Sequence, residues 1–217
     1  MEYTPPPHIA LDIYYKDEYL LVINKPSGLL SVPGRGEDKQ DCLISRVQSE
    51  YPDSLIVHRL DMSTSGLMLL ARGKELERSL SILFQNREIN KKYIAVVDGE
   101  IMANSGVVDL PLITDWPNRP KQKVDFETGK SSITSYRRLS FNKNNNTSRL
   151  ELVPFTGRTH QLRVHLMSIN NAILGDELYA NKDAREKAAR LLLHASYLSF
   201  QHPVTGEFIE IKSEPEF

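Results

Sequence analysis

Apolar residues come in short runs separated by clusters of turn-forming residues, and most runs have the length of strands. Residues 19–24 (YLLVIN) form a β-like run stopped by Lys25-Pro26-Ser27-Gly28, and GLLSVPGRGEDK beyond it has loop chemistry. Residues 42–51 read as a short helix ended by Pro52. Strands are expected over 54–60 and 66–71, on either side of the segment VHRLDMSTSG. Residues 74–87 set Leu76, Leu80, Leu83 and Phe84 at helical spacing. Further strands are expected over 93–97, 107–110, 133–141 and 149–153, with the polar run 142–146 as the hairpin between the last two. The stretch THQLRVHLMSIN is helical by its Leu162, Leu166, Ile169 stripe, and residues 183–189 suggest another short helix. The runs 191–200 and 207–212 pair around the turn-like His202-Pro203-Val204-Thr205-Gly206.

Hairpin-linked strands with irregularly interspersed helices predict an α+β protein with a mixed, mostly antiparallel sheet, flanked by helices and loops. Residues 1–10, with prolines at 5, 6 and 7, read as an extended arm, and 11–217 as a single catalytic-size domain. One cysteine, Cys42, excludes an internal disulfide framework. The segment MEYTPPPHIA lacks the basic and apolar regions of a signal peptide, and no apolar run is long enough to span a bilayer. The cytoplasm is therefore the expected compartment, with no membrane role. A net charge of −1 argues against indiscriminate polyanion binding, so a nucleic-acid partner needs a local basic surface. One candidate is residues 116–138, where Arg119, Lys121, Lys123, Lys130, Arg137 and Arg138 face only Asp125 and Glu127.

Common cofactor and metal patterns fail. Gly34-Arg35-Gly36 is followed by Glu37, Asp38 and Lys39, completing neither a dinucleotide fingerprint nor a phosphate loop. His160 and His165 lie about 140° apart on a helix, unlike a zinc-binding pair, and neither Ser65 nor Cys42 has the neighbours of a nucleophile. No cofactor and no metal are expected. Three segments remain: Asp61 after the cationic pair His58-Arg59, Tyr93 in NKKYIAVVDG, and FTGRTHQLRVH, which crowds Arg158, His160, Arg163 and His165 together. A carboxylate beside a guanidinium stays ionised and suits a nucleophile or base. Spacing alone equally allows a structural Asp61–Arg163 ion pair, and a lone tyrosine such as Tyr93 is more often core than catalytic.

HRLDMSTSG, KKYIAVV and TGRTHQLRVH, in this order, resemble the aspartate, tyrosine and arginine motifs of the RluA-type pseudouridine synthases. NKPSGLLSVPG and LLLHA extend the resemblance from about Leu20 to the C-terminus. PLITDWPNRPKQKV is similar to the dual-specificity subgroup, which acts on the tRNA anticodon stem-loop and on 23S rRNA. Larger relatives carry an S4-type RNA-binding domain, and the short stretch before the first strand implies that it is absent here.

The resemblance implies that Asp61 is the catalytic carboxylate, Tyr93 the ring stacking on the target uracil, and Arg163 the ion-pair partner of Asp61. It puts Arg59 beside the extruded nucleotide, with His58, Arg119, Lys121, Lys123, Arg158 and His160 along the RNA. Isomerisation of uridine to pseudouridine needs no cofactor, and RNA (tRNA, 23S rRNA or both) is the partner, with no obligate protein partner evident. Two rival classes are a non-catalytic RNA-binding module and a glycoside or nucleoside hydrolase. The first does not need an acid that repels phosphate, and the second lacks its usual pair of carboxylates.

Overall fold

The computed structural model describes residues 3–217, in two compact units: residues up to Lys91 together with His194–Glu216, and Lys92–Leu193 with Phe217. The first unit is built from β1 (Ile13–Lys16), β2 (Leu20–Lys25), α1 (Leu43–Glu50), β3 (Ser54–Ile56), β4 (Ser65–Arg72) and α2 (Lys74–Asn86). The next strand in sequence, β5 (Asn90–Asp98), leads into the second unit. There it is followed by β6 (Ser105–Asp109), β7 (Leu112–Thr114), β8 (Gln122–Val124), β9 (Ile133–Asn142), β10 (Thr147–Pro154), α3 (Gln161–Ser168) and α4 (Lys182–Glu186). The chain then returns to the first unit through β11 (Leu193–Gln201) and β12 (Phe208–Lys212).

In the first unit the strand order is β1-β2-β4-β11, with β12 on β11 and β3 on β4. All these pairings are antiparallel except β4 with β11, where Ser65 and Gly66 run parallel to His194 and Ala195. Both β2 and β4 read as continuous apolar runs because both of their faces are covered. Leu20, Val22, Leu67, Leu69 and Ala71 pack under α2 with Leu80, Ile89, Leu198 and Phe200. Residues Leu21, Ile23, Met68 and Leu70 between them are buried as well.

The second unit carries the antiparallel order β5-β10-β9-β6 and a separate two-stranded hairpin, β7-β8. Ala95, Val97, Leu150 and Leu152 alternate inward and meet Leu162 and Leu166 of α3. A mostly antiparallel sheet with few helices is the expected α+β architecture.

Several expected elements differ in extent. The strand expected over 54–60 ends at Ile56, and β1 and the short β7-β8 hairpin have no sequence counterpart above. No strand or helix forms over 3–10, and this arm is pinned at two points: Tyr3 Oη donates to the Asp41 carbonyl at 2.9 Å, and the Pro6 carbonyl accepts from Arg46 at 2.7 Å.

Candidate active site

Asp61 lies in the turn between β3 and β4, and the strap that follows β2 is wrapped around that turn. Ser31 Oγ donates to the Leu60 carbonyl at 2.7 Å and accepts from its N–H at 3.2 Å. The Met62 carbonyl accepts from Lys25 Nζ at 3.1 Å and from the Gly28 N–H at 2.9 Å. Ser27 Oγ donates to the Ser63 carbonyl at 2.7 Å, and the Asp61 carbonyl accepts from the Thr64 N–H at 3.1 Å. Peptides on both sides of Asp61 are thus tied. The strand stops early because the Leu69 N–H, next along β4 from the Ile56–Leu70 pair, is taken by His58 Nε2 at 2.9 Å and not by a backbone carbonyl. Gly66 closes the turn at φ +116°, and a Cβ there would overlap the backbone of Ala195. Only glycine lets β4 start this close to β11.

The pair His58-Arg59 holds one cation, not two. His58 is half-buried against the Phe84 ring at 4.5 Å, and its Nε2 accepts from the Leu69 N–H at 2.9 Å. Burial, with Lys91 adding to it, pulls its pKa down to about 3, so the ring is neutral at pH 7. Arg59 is exposed.

In the second unit Tyr93 sits on β5 opposite Leu152, half-buried against the apolar cluster. Arg163, on α3, is almost fully buried and makes a two-pronged pair with Asp176: Nε to Oδ2 at 2.8 Å and Nη2 to Oδ1 at 2.7 Å. Asp176 Oδ1 also accepts from the Leu178 and Tyr179 N–H groups, at 2.9 and 3.2 Å. The Tyr179 ring lies 5.1 Å from the Arg163 guanidinium, and its hydroxyl meets His160 Nδ1 at 2.7 Å. Asp176 and Tyr179 went unnoticed in the sequence. Their only local signal is the turn GDELY, where Gly175 at φ +71° has no room for a Cβ against the Arg190 carbonyl.

His165, by contrast, is structural. It is buried between Thr134 Oγ1 at 2.9 Å and the Leu110 carbonyl at 3.0 Å, and burial lowers its pKa. Arg158 is exposed, with Nε 3.3 Å from the Ser131 carbonyl.

The basic residues expected on the RNA side cluster on and around the β7-β8 hairpin. Trp116 and Arg119 are exposed at its tip with the guanidinium 4.4 Å from the ring centroid. Lys123 is exposed and lies 3.8 Å from Asp125, while Lys121 is partly covered. Among the described residues no three His, Cys, Asp or Glu side chains are grouped to hold a metal ion. No helix among them is long and apolar enough to cross a membrane.

The sequence profile of the RNA pseudouridylate synthases matches residues 19–168. The chain is 49% identical to the dual-specificity RNA pseudouridine synthase RluA of Escherichia coli (strain K12), over 99% of this chain and 98% of that protein. It is 51% identical to the protein of the same name from Vibrio parahaemolyticus, over 94% of this chain and 82% of that one. The solved structure of human RNA pseudouridylate synthase domain containing 1 superposes with a TM-score of 0.81 at 28% identity, covering 99% of this chain and 87% of the human one. A family profile spanning most of the chain, and near-half identity over almost all of it, make this protein a member of the RluA-type RNA pseudouridine synthases.

Proposed function

We propose that Asp61 is the reacting carboxylate of this RNA pseudouridine synthase, and that its substrates are uridines of the tRNA anticodon stem-loop and of 23S rRNA. The observation that carries the assignment is the Asp61 turn, in which the strap 25–31 grips the backbone at Leu60, Met62 and Ser63 and so fixes the base of the side chain. The substrate assignment rests on PLITDWPNRPKQKV and on relatives named for dual specificity. Residues 11–217 act as one catalytic domain in the cytoplasm.

The enzyme is an isomerase. The uridine N1–C1′ bond breaks, the uracil rotates, C5 joins C1′, and the C5 proton leaves to solvent while N1 gains one. No atom or electron is gained overall, so no redox partner or donor group is needed. Asp61 supplies the nucleophile or base, as an ionised carboxylate. Arg163, its guanidinium plane locked by Asp176, supplies the cation that the arginine motif assigns to the reacting carboxylate. A base in a folded loop is first flipped out, at a cost of a few kcal/mol. Tyr93 stacks on the extruded uracil, and Arg59 fills the gap it leaves. Arg119, Lys121, Lys123 and Arg158 meet phosphates, with His160 alongside, while His58 supports the turn from beneath.

Asp61→Asn keeps the shape and removes the nucleophile. With tRNA carrying C5-tritiated uridine, this variant should release no tritium above background yet bind the RNA within about threefold of wild type. Release within about tenfold of the wild-type rate removes Asp61 from this role.

A further inference from the structure

The segment NKPSGLLSVPG contributes no reacting group, yet it buries an ammonium under the Asp61 turn. Lys25 is 0% exposed, and its Nζ lies 2.9 Å from the Pro26 carbonyl, 2.7 Å from that of Leu29 and 3.1 Å from that of Met62. An ammonium has three N–H donors and no acceptor, so three carbonyls match the charged form. A neutral amine would leave its lone pair facing one of them. A lysine needed only for packing would be an expensive choice, because a buried charge is tolerated when it is paired and hydrogen-bonded. Of its three acceptors, the one outside its own strap belongs to the residue after Asp61.

We propose that Lys25 is a positioning residue for the reaction: its ammonium holds the Met62 carbonyl and so aims the Asp61 carboxylate through the backbone. The inference rests on the assignment of Asp61 as the reacting group. It makes the enzyme sensitive to pH through a group that never touches RNA.

Burial pulls the Lys25 pKa down to about 7, and the Asp61 charge opposes that fall. The groups around it leave Asp61 as its counter-charge. The strap 26–31 has no titratable side chain, and β4 presents Gly66 opposite Lys25, with its one cation, Arg72, held by Asp53 at the far end. The turn brings neutral His58 and exposed Arg59. Nearby Asp12 is bound to Asn24, Arg46 of α1 to Asp41, and His194 of β11 to Ser65. As pH rises through neutrality the ammonium loses a proton, one carbonyl loses its donor, and the Asp61 turn loses part of the hold that aims its carboxylate. The rate constant should fall while RNA affinity stays.

The test measures single-turnover rates and RNA affinity between about pH 5.5 and 9.5 for wild type, Lys25→Met, Lys25→Arg and Asp61→Asn, using tRNA carrying C5-tritiated uridine. Lysine labelled with 13C at Cε reports the Lys25 titration by NMR in wild type and Asp61→Asn. The wild-type rate should decline with a midpoint matching the Lys25 titration. Lys25→Met should lose at least about tenfold in rate at the acid end, bind RNA within about twofold of wild type, and show no further decline on the alkaline side. Lys25→Arg, always charged, should recover part of the rate and remain flat. Asp61→Asn should move the Lys25 midpoint to lower pH.

If the Lys25 variants do not fold, the NMR and rate midpoints of wild type and the shift in Asp61→Asn decide the matter alone. A wild-type rate and profile in Lys25→Met, or a rate indifferent to the Lys25 titration, overturns the proposal. Turnover in Asp61→Asn overturns instead the assignment on which it rests.

Discussion

Tyr93 and Arg163 carry their assignments on different physical grounds. Tyr93 is held against the apolar cluster of the second unit, and the proposed stacking gives one face of its ring to the base. Tyr93→Phe keeps that face and Tyr93→Ala removes it, so Ala should weaken binding of tRNA by about 1–3 kcal/mol while Phe binds like wild type. Filter binding of the two variants checks this, and equal affinities would count against stacking. Arg163 depends on Asp176, whose carboxylate accepts both prongs of the guanidinium and two backbone N–H groups. Asp176→Asn keeps the volume but leaves a buried guanidinium without its counter-charge. We expect a loss of about 3–5 kcal/mol in urea unfolding together with a lower reaction rate. A change under about 1 kcal/mol would mean that Asp176 does not govern Arg163.

Elements with a strong internal pattern were legible before the fold was known. The GLMLLA run became β4, Leu76, Leu80, Leu83 and Phe84 became the inner face of α2, and the 142–146 run became the hairpin between β9 and β10. The hairpin β7-β8 was not legible, because each of its strands is three residues long and neither alternates cleanly. The RNA-contact role proposed for it is a matter of charge. The Lys123–Asp125 pair is exposed and long, so it is worth little in water and leaves the ammonium available to phosphate. Replacing Lys121 and Lys123 together with Ala should weaken RNA binding and flatten its salt dependence by about one to two units of slope. An unchanged slope in a salt series would place the RNA on another surface.

The whole molecule should respond to pH through its buried bases. His58 is neutral when folded, with a pKa near 3, but ordinary when unfolded. Between these two values the unfolded chain binds a proton that the folded one does not, so stability falls as pH drops, by up to about 1.4 kcal/mol per pH unit for one such group. His58→Gln retains an acceptor for the Leu69 N–H and cannot titrate. Its unfolding free energy, measured in urea between about pH 6 and 4, should decline less steeply than that of wild type. Lys25 acts at the other end: its folded pKa is depressed to about 7, so above that value the unfolded chain holds the extra proton and folding gains as pH rises. The same rise in pH should cost activity, which separates stability from function.

Strand and helix periodicity, the order of the three motifs and the identity of Asp61 as an acid suited to nucleophilic work could all be read along the chain, because each depends on neighbours within a few residues. Burial and partnership could not. Lys25 reaches Met62 across 37 positions, Ser31 holds Leu60 across 29, and Ser65 meets His194 across 129. Arg163 finds Asp176 after a helix and a turn, 13 positions on. His58, cationic by its surroundings in sequence, is neutral because β4 supplies an N–H and α2 a ring to cover it. The charge state of a side chain depends on what surrounds it in space, so local pattern singled out the acid proposed to react, while chain topology supplied the contacts that hold its turn in place.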